Sequence, residues 1–103
     1  MSKFANAYGV RKIVYKQSCK CFCPIGKTEY TNNFTVTMEP SDTIPDYCEI
    51  DKFIQECIEG ESLVIEEAAY KLKRKLMEYA HPSWIMVESA VNDASHGDVV
   101  VSV

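Results

Sequence analysis

The chain has 103 residues, 47% of them hydrophobic and 25% charged, which is the composition of one ordinary globular domain spanning 1–103 and excludes a disordered or fibrous segment. A net charge of −4 argues against a protein that coats nucleic acid over its whole surface. No apolar run reaches membrane-spanning length and Met1 to Lys20 lacks a signal-peptide core, so a cytoplasmic protein is expected, away from membranes, with its five cysteines as thiols.

The charge is unevenly spread. Residues 1–28 carry Lys3, Arg11, Lys12, Lys16, Lys20 and Lys27 without an acid, and all fifteen acids follow Thr28 against the other five bases. Interleaved with Phe4, Tyr8, Tyr15 and Phe22, the basic segment has the pattern of a nucleic-acid contact, and equally that of a solvated strand face. Val10 to Phe22 is rich in β-branched and aromatic residues and reads as a strand closed by Pro24-Ile25-Gly26. Asn33 to Glu39 alternates, with Phe34, Val36 and Met38 facing one way and Thr35 and Thr37 the other. Pro40 to Pro45 reads as a polar turn that no strand crosses.

Asp46 to Glu59 has a helical apolar stripe of Ile50, Phe53, Ile54, Cys57 and Ile58, stopped by Gly60. Ser62 reads as the N-cap of a second helix, in which Ile65, Ala68, Ala69, Leu72 and Leu76 recur at helical spacing as far as Tyr79. Lys71, Lys73, Arg74 and Lys75 fall in what reads as its last turns, where cations suit the helix dipole. Pro82 breaks the pattern, and Trp84 to Val91 and Asp98 to Val103 are two further strands around the turn-prone stretch 92–97. The order ββααββ predicts an α+β domain: a four-stranded, mostly antiparallel sheet with two helices on one face. The other face and both edges stay uncovered, which predicts self-assembly.

The stretch "CKCFCPIGKTEY", residues 19–30, holds Cys19, Cys21 and Cys23 at alternate positions. Strand geometry points all three to one side, which suits a metal clasp, but structural zinc sites pair cysteines two to four residues apart and need a second pair that Cys48, Cys57, His81 and His96 do not form. Small core hydrophobes are the plain alternative. Cys23 differs by ending the strand beside Lys27, where a thiolate nucleophile fits, and Glu29 lies within a turn's reach as a proton donor. Glu66 and Glu67 open the second helix, where the dipole favours acids, and a carboxylate there also suits the N–H and amino edge of a guanine-like base. His81 and His96 read as loop polarity.

The element order, "CPIGKTEY" after the first strand, "SLVIEEAA" opening the second helix and "HPSWIMVE" opening the third strand resemble the tunnelling fold, and more narrowly the 7-cyano-7-deazaguanine reductase (QueF) family. The resemblance implies that Cys23 attacks the nitrile carbon of a bound deazaguanine to give a thioimide, and that Glu66 holds the ring in a pocket between subunits. It departs at the first helix, where the run that the reductases tie to NADPH reads "EIDKFI" and leaves only Glu49 as a substrate-binding candidate. It departs again at "SHGD", at Tyr30 where the family has an Asp, and at Ile65 where it has a His. The short QueF-like archaeosine synthases also lack the cofactor run, and they convert a nitrile on transfer RNA to an amidine with ammonia through the same thioimide. That resemblance implies no cofactor and no metal, tRNA bearing 7-cyano-7-deazaguanine or the free base as partner, and a homo-oligomer, pentamer or decamer. The alternatives are a non-catalytic purine- or pterin-binding protein, an NADPH-dependent nitrile reductase, and a pterin enzyme of the dihydroneopterin aldolase kind, which would also match Glu66.

Overall fold

The computed structural model describes residues 2–103; Met1, the first residue of the expected domain, lies outside them. Strand β1 is Lys3–Ala5, β2 is Ile13–Phe22, β3 is Glu29–Glu39 and β4 is Thr43–Pro45. Helices α1, Tyr47–Cys57, and α2, Ile65–Ala80, follow, and then β5, Trp84–Val91, and β6, Val99–Ser102. The main sheet runs β2-β3-β5-β6, antiparallel throughout, with both helices on one face as the α+β reading expects. That face is the core: Cys19 and Cys21 of β2, Phe34, Val36 and Met38 of β3 and Val87 and Val91 of β5 are buried, against Ile50, Ile54 and Ile58 from the first helical segment and Ala68, Ala69, Leu72 and Leu76 from α2. No helix among the described residues is long and apolar enough to cross a membrane.

Several local expectations are corrected. Pro40 to Pro45 is not only a turn, because Thr43–Pro45 pairs antiparallel with Lys3–Ala5 as a separate two-stranded ribbon. The β-branched pair Thr43-Ile44 supports extended backbone, and Pro45 is tolerated at the end of so short an edge. Lys3 Nζ donates to Tyr79 O at 3.2 Å and Thr43 Oγ1 to Ala80 O at 3.2 Å, tying the ribbon to the C-terminus of α2. One of the N-terminal lysines thus serves a helix end, where a cation is favoured. The strand β3 begins at Glu29, four residues before the alternation becomes legible. Its polar start is paired inside the core, where buried Asn32 accepts from Ser89 Oγ at 2.8 Å and donates to Cys21 Sγ at 3.3 Å.

Asp46 caps α1 by accepting from the Cys48 N–H at 3.0 Å, and Gly60 follows with φ +76°, as a helix stop requires. Ser62 does not cap α2; Val64 occupies that position without a side-chain hydrogen bond. Ser62 instead forms a parallel bridge to Phe22. The connector that carries it runs along the end of β2, with Gly60 N–H to Lys20 O at 2.7 Å, Phe22 N–H to Glu61 O at 2.9 Å and Leu63 N–H to Phe22 O at 3.1 Å. The basic run 71–75 lies in the middle of α2, since the helix continues to Ala80 and has no base in its last turn. Lys71 reaches across to donate to Cys57 O at 2.7 Å, so it serves the C-terminus of α1.

Candidate active site

Three loops meet at one end of the sheet. Because β2, β3, β5 and β6 are antiparallel neighbours, the β2–β3 turn and the β5–β6 loop emerge together. The connector clamped to Phe22 delivers the first turn of α2 to the same place. Between them lies a cavity of about 340 Å³, lined by Cys23, Ile25, Gly26, Thr28, Tyr30, Val64, Ile65, Glu66, Ala94, Ser95 and His96.

The turn that presents Cys23 is closed by its own backbone. Cys23 N–H donates to Thr28 O at 2.9 Å, and Lys27 N–H returns to Cys23 O at 2.8 Å. Lys27 takes a left-handed conformation to do so, with φ +57°, a geometry disfavoured for a side-chain-bearing residue. Gly26 N–H donates to Cys23 Sγ at 3.3 Å, and such a contact strengthens when the sulfur carries charge. A methyl group added at Gly26 would sit 3.7 Å from Ser95 Oγ and 3.8 Å from Cys23 Sγ, so the β5–β6 loop is packed close to the thiol. That loop is held by Asp93, whose carboxylate accepts from Thr31 N–H at 2.8 Å and Thr31 Oγ1 at 2.7 Å. These two bonds keep the Asp93 carboxyl below its ordinary value.

The other thiols are placed differently. Cys19 and Cys21 are buried, and Cys21 Sγ donates to Ile58 O at 3.3 Å. The Cys19 thiol is pushed up by its hydrogen bond to Cys21 and by burial. All five cysteines are free thiols. No group of three or more His, Cys, Asp or Glu among the described residues is arranged to hold a metal ion.

Of the four residues singled out from the sequence, Cys23 and Glu66 come together at the cavity; Glu29 and Glu49 do not. Glu29 is the cross-strand partner of Phe22, while Tyr30 is the partner of Cys21. Side chains alternate along a strand, so Glu29 stands with Phe22 on the face turned away from Cys21, Cys23 and the helices. Glu49 lies in the first turn of α1, in a groove with Lys52, Phe53, Glu56, Cys57 and Lys75. Tyr30 occupies the inward position instead. Burial first of all pushes its phenol up, and its hydroxyl donates to Leu63 O at 2.5 Å, pinning the connector. His96, read as loop polarity, lines the cavity, as do Ser95 and Thr28. Nothing in the hydrophobic pattern marks these loop residues; the sheet topology brings them there.

The α+β scaffold thus brings a cysteine from the end of a strand and a carboxylate from the start of a helix to the wall of one cavity. No protein-family model matches the sequence, and no curated protein matches it. Among solved structures, the crystal structure of the archaeosine synthase QueF-Like in its apo form is similar, with a TM-score of 0.84 over 91% of this chain and 92% of that one, at 21% sequence identity. The chain therefore has the fold of that protein.

Proposed function

We propose that this protein is a QueF-like amidinotransferase acting in the cytoplasm, which converts the nitrile of 7-cyano-7-deazaguanine in tRNA to an amidine with ammonia. The observation that carries the reading is the meeting of Cys23 and Glu66 at one cavity of about 340 Å³, within the size range of small-molecule sites. Glu66 accepts the N–H and amino donors of the deazaguanine edge, a charge-assisted pairing that orients the ring. Cys23 sulfur attacks the nitrile carbon, one C–N π bond opens, and the nitrogen takes a proton to give a thioimide. Ammonia then adds to the same carbon and expels the thiolate, leaving the amidine and free Cys23. No electrons are transferred. Outward-facing Lys16 and Lys20, alternating with Ser18 along β2 and all exposed, offer backbone-phosphate contacts for the RNA.

Intact mass after incubation with 7-cyano-7-deazaguanine tests the reading. One ligand mass per chain is expected from the wild type and from Cys19→Ala and Cys21→Ala, and none from Cys23→Ala. Ammonium with nitrile-bearing tRNA should discharge the adduct as amidine, and NADPH should leave it unchanged. Binding of the base without any adduct would make the protein a non-catalytic purine-binding relative, and consumption of NADPH would make it a nitrile reductase.

A further inference from the structure

Addition of a thiol to a nitrile must move one proton from sulfur to nitrogen, and neither Glu29 nor Tyr30 is placed to carry it. Glu29 is on the other sheet face, and the Tyr30 hydroxyl already donates to Leu63 O. We propose that His96, in the β5–β6 loop, is the proton carrier for Cys23, a role that rests on the nitrile reading for its second half but not for its first.

Three observations carry this. His96 lines the cavity that Cys23 lines. Its Nδ1 lies 2.7 Å from Gly97 O, and because a carbonyl oxygen only accepts, Nδ1 carries the proton in the neutral ring. Nε2 is then the nitrogen with the free lone pair, and it has no hydrogen-bond partner among the described residues. Such a tautomer-fixing bond from one ring nitrogen is what sets the other as a base. Finally, the segment that leads into the histidine is tied down, by the Asp93 carboxylate on Thr31 and by Ser95, whose hydroxyl lies against the Gly26 turn.

The step balances without a further reactant. Nε2 takes the Cys23 thiol proton as the S–C bond forms, and the imidazolium returns it to the nitrile nitrogen as the π bond opens. The sum is addition of S–H across the C≡N bond. When ammonia adds, the same nitrogen receives a proton from the ammonium centre and gives it to the departing sulfur. The acid and base groups that line the same cavity are Cys23, Tyr30 and Glu66, and Asp93 and Asp98 lie on the same loop.

The test uses iodoacetamide, which needs a thiolate but no nitrile, with each cysteine followed by peptide mass spectrometry at pH 7. His96→Ala and His96→Gln should each slow alkylation of Cys23 by about tenfold or more, while exposed Cys48 reacts at the wild-type rate and reports an intact fold. Added imidazole should restore much of the Cys23 rate in His96→Ala, which a merely structural histidine would not allow. An unchanged Cys23 rate in His96→Gln, or no imidazole rescue in a folded His96→Ala, overturns the proposal. The two readings fail separately: a wild type that forms no nitrile adduct but still shows the histidine-dependent alkylation loses the substrate and keeps the pair.

Discussion

Glu66 and Glu67 are adjacent acids in the first turn of one helix, and both are exposed in the single chain. The dipole argument treats them alike, whereas the cavity does not: Glu66 lines it and Glu67 does not, since successive helical residues point about 100° apart. Glu66→Ala should weaken binding of 7-cyano-7-deazaguanine by roughly 1.5–3 kcal/mol, the scale of a hydrogen bond to a charged group, and Glu67→Ala should change it little. Calorimetric titration of both variants decides the matter, and equal losses would return both acids to the dipole. Cys23 and Glu66 could be singled out as candidates, and both do reach the cavity, because each stands at a punctuated place, one before Pro24 and one at a helix start. Glu29, singled out with them, does not line the cavity, because sequence distance carries no information on which sheet face a residue takes; the register Phe22 to Glu29 does. The place of His96 at the cavity was not legible, because a loop histidine gives no sign in sequence of which other loops it will meet.

The central strands and both helices followed from periodicity, since each has one face against the core and repeats accordingly. Elements escaped where tertiary pairing supplies what local pattern lacks. The first four residues of β3 are polar or aromatic without alternation and gain their place from Cys21, Ser89 and Asp93. The short ribbon β1–β4 is fixed by the end of α2, and Val64 rather than Ser62 starts α2 because the connector is used as an edge partner for β2. The Asp93 latch ties the β5–β6 loop to β3. Its carboxyl titrates below the ordinary 3.8 when folded, so its contribution is fully present above that value and is lost as pH falls through the lower, folded one. Loop order at neutral pH should therefore be intact, and hydrogen exchange at Thr31 should rise only in strong acid. Asp93→Ala should raise that exchange at neutral pH and slow the reaction of Cys23, with the melting temperature nearly unchanged because the site is at the surface. A variant with protected Thr31 and an unaltered Cys23 would show that the loop is held elsewhere.

At the scale of the molecule, what the fold leaves open bears on how the site is completed. The sheet order places β2 and β6 at the two edges. The connector pairs with β2 only at Lys20 and Phe22, so its first half offers free backbone donors and acceptors, as does the outer side of β6. Val14, Phe22, Trp84 and Val100 are exposed at 50, 41, 47 and 66% on the open side of the sheet, more apolar surface than a small solitary domain comfortably shows. The two free edges are different strands, so pairing β2 of one copy with β6 of the next would be a head-to-tail contact, which closes into a ring where the rotation between copies allows it. Ile25, at the mouth of the cavity, is 81% exposed, and Glu66 is open to water; a neighbour seated there would dry the site and strengthen both the carboxylate's grip and the thiolate's attack. The free edges lead us to expect self-assembly, and the resemblance to the QueF family implies its form, a pentamer or a decamer of two stacked pentamers, with a mass by light scattering five or ten times 11.7 kDa. Dilution below the assembly concentration should cost adduct formation in step with the loss of the ring. A stable monomer at micromolar concentration that still forms the Cys23 adduct would mean that one chain completes the site alone.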